Sequence, residues 1–255
     1  MATINLGVIG LGRMGQIFSR HLLSLTENGR LAAVASSNPT VSEHIAGQGP
    51  NITNYREWSD LLAEPGLDGV VIATPTHTHH DIIIAAAEAG KAVFCEKPVA
   101  LSLAETDRIM AAVDQAGVPF QVGFMRRFDR AYTAAKARIE AGEIGDPILI
   151  KAISRDPGCP DPAWADPASS GGLIVDLSIH DIDIARWLMA DEVVRVSAEG
   201  AVLTCPDLVA VGDIDTALIN LTFSRGGLGN VEGCRDSGYG YDIRCEIRGT
   251  KGALQ

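Results

Sequence analysis

A histidine set between carboxylates at helical spacing can move a proton, and residues 171–188 offer one. At 3.6 residues per turn Asp176, His180 and Asp183 fall on one narrow face. Leu173, Ile174, Leu177, Ile184, Trp187 and Leu188 cover much of the rest, so this helix is expected to be packed on most sides. A polar seam on such a helix has two readings. Either it is a satisfied core network, with its carboxylates capping or pairing locally, or it is a proton-transfer site. In the second case the carboxylates fix the imidazole in one tautomer and raise its pKa toward the working pH.

The elements that must position this seam follow from periodicity. Residues 3–9 are a short apolar run that stops at glycine, and 13–27 carries helical spacing through Met14, Ile17, Phe18, Leu22 and Leu25. Further strands are expected over 31–35, 69–73, 92–95 and 119–122, with helices over 41–46, 57–63, 79–89 and 102–116. Ser102 and Glu105 stand at capping-box spacing. The run 69–73 is apolar throughout, as in a strand buried on both faces. Strands alternating with helices imply a parallel, doubly wound sheet.

After Gly123 the texture changes. A helix over 128–141, a strand over 147–155, a loop holding Pro157, Pro160, Pro162 and Pro167, and then the seam helix lead into strand after strand: 193–203, 214–223, 228–234 and 241–248. That is an open, mostly antiparallel sheet with helices on one side. Residues 249–255 read as a turn entering another strand, so the sheet is expected to continue.

The cofactor end is at Gly10-Leu11-Gly12-Arg13-Met14-Gly15, a G-x-G-x-x-G between strand and helix. The first glycine permits a tight turn, the second lets a pyrophosphate approach the backbone, and the third lets the helix pack on the strand. The helix start then offers unpaired N–H groups and partial positive charge to the phosphates. Residues 1–122 therefore read as a dinucleotide-binding Rossmann domain, and 123–255 as a second, α+β domain. The acid expected at the end of the second strand is missing, where Ser36, Ser37 and Asn38 stand. Serine can donate to a ribose hydroxyl or to a 2′-phosphate, which leaves NAD and NADP both open, with Arg13 a candidate phosphate partner.

Thr74-Pro75-Thr76-His77-Thr78-His79-His80 follows the fourth strand at the carboxyl edge, where such sheets bind ligands. Thr74, Pro75 and His79 are expected to border the nicotinamide pocket; a metal site would need a further clustered ligand. Glu96 and Lys97 end the fifth strand at the same edge, whereas a lysine placed elsewhere would read as a solvated surface residue.

Composition narrows the partners. The chain has 255 residues, 46% of them apolar, and a net charge of −11. It can bury a large core, and the acidic balance without a Lys/Arg run argues against nucleic acid or an anionic membrane. Five cysteines lie far apart without a CxxC pair, which suggests reduced thiols of a cytoplasmic protein rather than a disulfide framework or a zinc site. No export signal or membrane-length apolar window is read.

Together, Gly10-x-Gly12-x-x-Gly15, Glu96-Lys97-Pro98 and Asp176-x-x-x-His180 resemble the Gfo/Idh/MocA oxidoreductase family along essentially the whole chain. Residues 123–129 (GFMRRFD) and 239–246 (YGYDIRCE) are most similar to its inositol 2-dehydrogenases. The resemblance implies a catalytic triad of Lys97, Asp176 and His180, and a polyol pocket lined by Arg127, Asp156, Asp183 and Tyr241. It also implies that 123–255 serves substrate and oligomer contacts, in a homo-oligomer, commonly a tetramer, otherwise a dimer. Members usually run several dozen residues further, and those preferring NAD usually carry the acid absent at Ser36.

The chemistry can be stated without the family. Oxidising a secondary alcohol removes a hydride from carbon and a proton from oxygen. His180 would take the proton, Asp176 would orient the imidazole, and Lys97 would hydrogen-bond the developing alkoxide. The hydride would pass to a nicotinamide. Three other readings remain: a dehydrogenase of another inositol isomer or sugar, a cofactor-binding regulator without turnover, and a metal hydrolase using His77, His79, Asp176 and His180.

Overall fold

The computed structural model describes residues 3–24 and 27–255; Leu25, part of the helix expected over 13–27, lies outside the described residues. The chain divides between Gly123 and Phe124 into two compact units.

The first unit holds strands β1 (Ile4–Ile9), β2 (Gly29–Ala35), β3 (Thr53–Tyr55), β4 (Gly69–Ile72), β5 (Ala92–Cys95) and β6 (Phe120–Val122). They form one sheet in the order β3-β2-β1-β4-β5-β6, every pairing parallel. Five helices connect them: α1 (Arg13–Ser24), α2 (Pro39–Ala46), α3 (Trp58–Leu62), α4 (His79–Glu88) and α5 (Leu103–Ala116). Period-two alternation feeds two cores. Ile9 and Ile72 pack into one cluster with Ile82, Ile83 and Ile109, while their neighbours Val8 and Val71 pack into another with Leu11 and Ile45. Each strand thus buries both faces, as a doubly wound sheet requires. Ser102 caps α5, its Oγ accepting from the Glu105 N–H at 3.2 Å and donating to Glu105 Oε2 at 2.9 Å. The edge strand β3 has no apolar run to announce it; its Thr-Asn-Tyr pairs with Ala33 to Ala35 of β2.

The second unit holds β7 (Pro147–Arg155), β8 (Val193–Ala201), β9 (Thr216–Phe223), β10 (Leu228–Cys234), β11 (Asp242–Gly249) and β12 (Ala253–Leu254). Their order is β12-β11-β7-β10-β9-β8. Only β7 with β10 is parallel, the other pairings being antiparallel. Its helices are α6 (Arg130–Glu140), the short α7 (Pro162–Ala165) and α8 (Pro167–Ser170), and α9 (Ile179–Met189). Ile184, Ala185, Leu188 and Met189 of α9 pack with Ile150, Ile219, Phe223 and Val231 from the sheet.

Three expectations need correction. The seam helix is not one regular α-helix over 171–188: a π-helical turn over Ile174–Ser178 runs into α9. The wider turn changes the phase in which Asp176 leads His180, so a 3.6-residue projection does not describe that half of the seam. The Pro-rich loop carries α7 and α8, because Asp161 and Asp166 each cap a turn whose first residue is proline.

The third correction concerns the thiols. Cys159 and Cys205, expected to be reduced, form a disulfide across 46 residues. Asp215 Oδ2 gathers the N–H groups of Leu203, Thr204 and Cys205 at 2.8, 2.7 and 2.7 Å. Cys205 then packs with Ala165 and Leu208, which brings the Pro-rich stretch to it. Cys95, Cys234 and Cys245 remain thiols, and burial pushes Cys245 up to about 12.

Candidate cofactor and catalytic residues

In the first unit the glycine loop is built by its own backbone. Gly10 lies at φ +87°, where a β-carbon would sit 2.7 Å from the Ala73 carbonyl oxygen. A β-carbon on Gly15 would sit 1.8 Å from the Gly10 oxygen, so α1 could not close onto β1 with any larger residue there. Gly12 is different, since a β-carbon there would meet nothing within 4 Å. The fold does not demand glycine at Gly12; it leaves the backbone bare to a docked group. Helix α1 begins at Arg13, followed by half-buried Met14, with no acid in its first turn. A pyrophosphate fits this cradle of bare backbone and uncompensated helix N–H groups.

The remaining cofactor candidates stand at the same carboxyl edge. Ser36 follows β2, its N–H donating to the Tyr55 carbonyl at 3.1 Å. Thr74 and Pro75 follow β4; Thr74 Oγ1 accepts from the Thr78 hydroxyl at 2.7 Å. Glu96 and half-buried Lys97 follow β5, and Glu96 Oε2 accepts from the Lys97 N–H at 3.2 Å. Burial raises the Glu96 carboxyl, against the opposing charges of Lys97 and Arg13.

His79 departs from expectation. It is 1% exposed, with Nδ1 at 2.9 Å from the Pro98 carbonyl and Nε2 at 2.9 Å from the Thr74 carbonyl. Neither nitrogen is left for a nucleotide or a metal. Burial lowers its pKa, and the neutral ring donates its one N–H to one of these carbonyls while its other nitrogen packs against the second, which braces the loop after β4 against the loop after Lys97.

In the second unit the seam is wired by arginines. His180, 7% exposed, follows the π turn that carries Asp176. Arg235 Nη1 donates to Asp176 Oδ2 at 3.3 Å and Nη2 to Asp213 Oδ2 at 3.1 Å, with the guanidinium 5.4 Å from the Trp164 ring centroid. Asp213 Oδ1 in turn accepts the Leu173 N–H at 2.9 Å and holds the start of the π turn. Gly172 must be glycine for this, because at φ +71° its β-carbon would lie 2.7 Å from that same Oδ1.

Asp183 is gripped bidentately by Arg127, Nε to Oδ2 at 2.8 Å and Nη2 to Oδ1 at 2.6 Å, and the carboxylate raises the guanidinium pKa. The neighbouring Arg126 donates to Asp181 at 2.5 Å and to the Ser154 hydroxyl at 2.7 Å. Burial pushes the Asp181 carboxyl up against that arginine. Asp156 closes β7, its N–H donating to the Cys234 carbonyl at 2.8 Å. Tyr241, expected in the polyol pocket, is 65% exposed before β11. Its neighbour Tyr239 is the tyrosine bonded into the fold, to Asp242 at 2.8 Å and from Arg155 at 2.6 Å.

Sequence reasoning missed Arg126, Asp181, Asp213 and Arg235. A signal existed for Asp181: an acid on a helix expected to be buried needs a cation, and Arg126-Arg127 is a tandem supply. Nothing in the sequence marked Arg235.

A parallel sheet in this order with a bare glycine loop defines a dinucleotide-binding enzyme, and the second sheet carries a buried His–Asp helix. Comparison with known families agrees. Residues 4–124 match the model described as an oxidoreductase family with an NAD-binding Rossmann fold, and residues 132–255 match the GFO/IDH/MocA C-terminal domain. The chain belongs to the GFO/IDH/MocA family and is a dehydrogenase.

It is 43% identical to the scyllo-inositol 2-dehydrogenase (NAD(+)) of Bacillus subtilis, covering 98% of this chain and 73% of the relative. It is 38% identical to the myo-inositol 2-dehydrogenase of Thermotoga maritima, covering 98% and 74%. Among solved structures, scyllo-inositol dehydrogenase from Lactobacillus casei with bound NAD(H) and scyllo-inositol superposes with a TM-score of 0.90 at 33% identity, covering 99% of this chain and 75% of that one.

Proposed function

We propose that this protein oxidises a secondary alcohol of a cyclic polyol, myo-inositol to the 2-keto-inositol, with NAD or NADP. The carrying observation is His180, nearly enclosed on α9 just after a π turn whose carboxylate, Asp176, is anchored by buried Arg235. The names of the relatives, myo- and scyllo-inositol dehydrogenases, support the substrate class.

Gly10, Gly12, Arg13, Met14, Gly15, Ser36, Thr74, Pro75, Glu96 and Lys97 hold the dinucleotide, and His79 braces two of their loops. A bound nicotinamide supplies the hydride acceptor. His180 takes the hydroxyl proton, Asp176 orients the imidazole and stabilises the imidazolium, and Lys97 donates a hydrogen bond to the developing alkoxide. Asp183, its charge balanced by Arg127, offers acceptor oxygens to ring hydroxyls, and Asp156 and Tyr241 complete the set. A neutral polyol needs such a lining of donors and acceptors. A homo-oligomer, tetramer or dimer, and a cytoplasmic setting belong to the same reading, although the Cys159–Cys205 bond removes the reduced-thiol argument for the latter.

The test is nicotinamide absorbance with myo-inositol, scyllo-inositol and glucose. Turnover is expected on an inositol, and His180→Ala should lower kcat by roughly 10²- to 10⁴-fold while the dinucleotide still binds. No turnover on any polyol, or unchanged turnover in the variant, would defeat the proposal.

A further inference from the structure

We propose that the ribose end of the cofactor site is built for a 2′-phosphate, so that this chain takes NADP(H) in preference to NAD(H), with Arg13 and Ser36 selecting it. This rests on the dinucleotide reading above.

Pairing fixes the neighbourhood. Ile9 sits opposite Ala35 across β1 and β2, and the Gly10 N–H donates to the Ala35 carbonyl at 2.9 Å. The glycine loop and Ser36 therefore leave adjacent strands side by side. In sheets of this order the residue ending the second strand faces the ribose 2′-hydroxyl. An acid there accepts from that hydroxyl and repels a phosphate dianion. Here Ser36, Ser37 and Asn38 occupy the strand end, and none carries charge.

Their hydrogen bonds say what each can still offer. Asn38 Oδ1 is engaged as the cap of α2, accepting the Val41 N–H at 3.4 Å. Ser36 Oγ accepts the Asn38 N–H at 3.2 Å, which leaves its own O–H to donate. Ser37 is exposed. What remains at the strand end is donor hydroxyls, suited to phosphate oxygens.

Cations complete the site. Arg13 is exposed at the start of α1, and its side chain makes no ion pair or hydrogen bond among the described residues; Glu96 senses its charge without bonding to it. The Ser36 N–H donates to the Tyr55 carbonyl at 3.1 Å, which brings the next residue, Arg56, to the same edge. Arg56 lies 3.9 Å from Glu57 with its side chain 83% exposed, so it is the lesser of the two charges. Helix α2 adds a first turn without an acid. The glycine loop that carries Arg13 borders the end of β2, so a guanidinium swung from it toward those hydroxyls would bind a phosphate with charge-assisted bonds and gain nothing from a neutral ribose hydroxyl.

The test uses fragments that cannot be turned over. Calorimetry with adenosine 2′,5′-diphosphate and adenosine 5′-diphosphate should give at least about tenfold tighter binding of the former at low salt, narrowing as salt rises. NADPH should exceed NADH likewise in a fluorescence titration. Arg13→Ala should cut the affinity ratio of the two fragments by about tenfold, and Ser36→Asp, checked for folding by circular dichroism, should invert it. Equal binding of the fragments, or tighter binding of adenosine 5′-diphosphate, would overturn the selectivity while leaving the dinucleotide site standing. Failure of both fragments and both reduced dinucleotides to bind would overturn the dinucleotide reading and this proposal with it.

Discussion

Arg126 and Asp181 show how a single pair can matter beyond its own bond. Both are buried, 6% and 0% exposed, and Asp181 sits beside His180 on the same helix. Removing one partner leaves a charge without water or counter-ion. Arg126→Met or Asp181→Asn should therefore cost about 3–5 kcal/mol in denaturant unfolding. The double variant Arg126→Met with Asp181→Leu should recover much of that loss; if it is as unstable as the sum of the singles, the pair is not the reason. His79 makes a second residue-scale case. Burial holds its pKa below the ordinary value in the fold, so the folded ring stays neutral while the unfolded one takes up a proton as pH falls through about 6.5. Its contribution is complete above that pH and is lost as pH drops toward the lower folded value. His79→Gln should consequently unfold with a shallower loss of stability between about pH 7 and 5 than the parent; identical slopes would remove His79 as the cause.

At the scale of elements, the π turn and α9 depend on how their start is held. Gly172, at φ +71°, lets Asp213 reach the Leu173 N–H and Arg235. Gly172→Ala forces a β-carbon against that carboxylate in a conformation alanine rarely adopts. A loss of about 2 kcal/mol is expected, together with a fall in kcat from displaced Asp176; a variant as stable and active as the parent would show the turn to be held otherwise. The Cys159–Cys205 bond ties the Pro-rich stretch to the turn before β9. Thiol titration of denatured, unreduced protein should find the three cysteines Cys95, Cys234 and Cys245, whereas two further reactive thiols would remove the bond. Cys159→Ser should lower stability by about 2–4 kcal/mol under non-reducing conditions.

For the whole molecule, the second sheet has α9 packed on one face. Leu218 and Leu228 project from the other at 47% and 51% exposure, beside half-buried Leu149 and Ile153. In the homo-oligomer proposed above, further copies of the chain cover this face, on which Asn220 and Asn230 stand between the two leucines. Leu218→Lys with Leu228→Lys should reduce the mass measured by light scattering to that of a smaller assembly. An unchanged mass would place the oligomer contact elsewhere. Among the described residues no helix is long and apolar enough to cross a membrane.

Sequence by itself determined the alternation that builds the first sheet, because a strand buried on both faces must be apolar throughout, as Gly69–Ile72 is. It also determined the glycine loop, since Gly10 and Gly15 answer to steric limits that act within a few residues and one neighbouring strand. The open second sheet was legible for the same reason, its period-two pattern being local. What tertiary structure alone decided is whatever depends on partners far along the chain. His79 faces two carbonyls rather than a ligand because the loop after Lys97 folds back onto it. Asp176 answers to Arg235, 59 residues away, and Cys159 to Cys205, 46 away. Spacing along a chain encodes periodicity, whereas a buried charge or a thiol finds its partner only after the strands between them have been laid side by side.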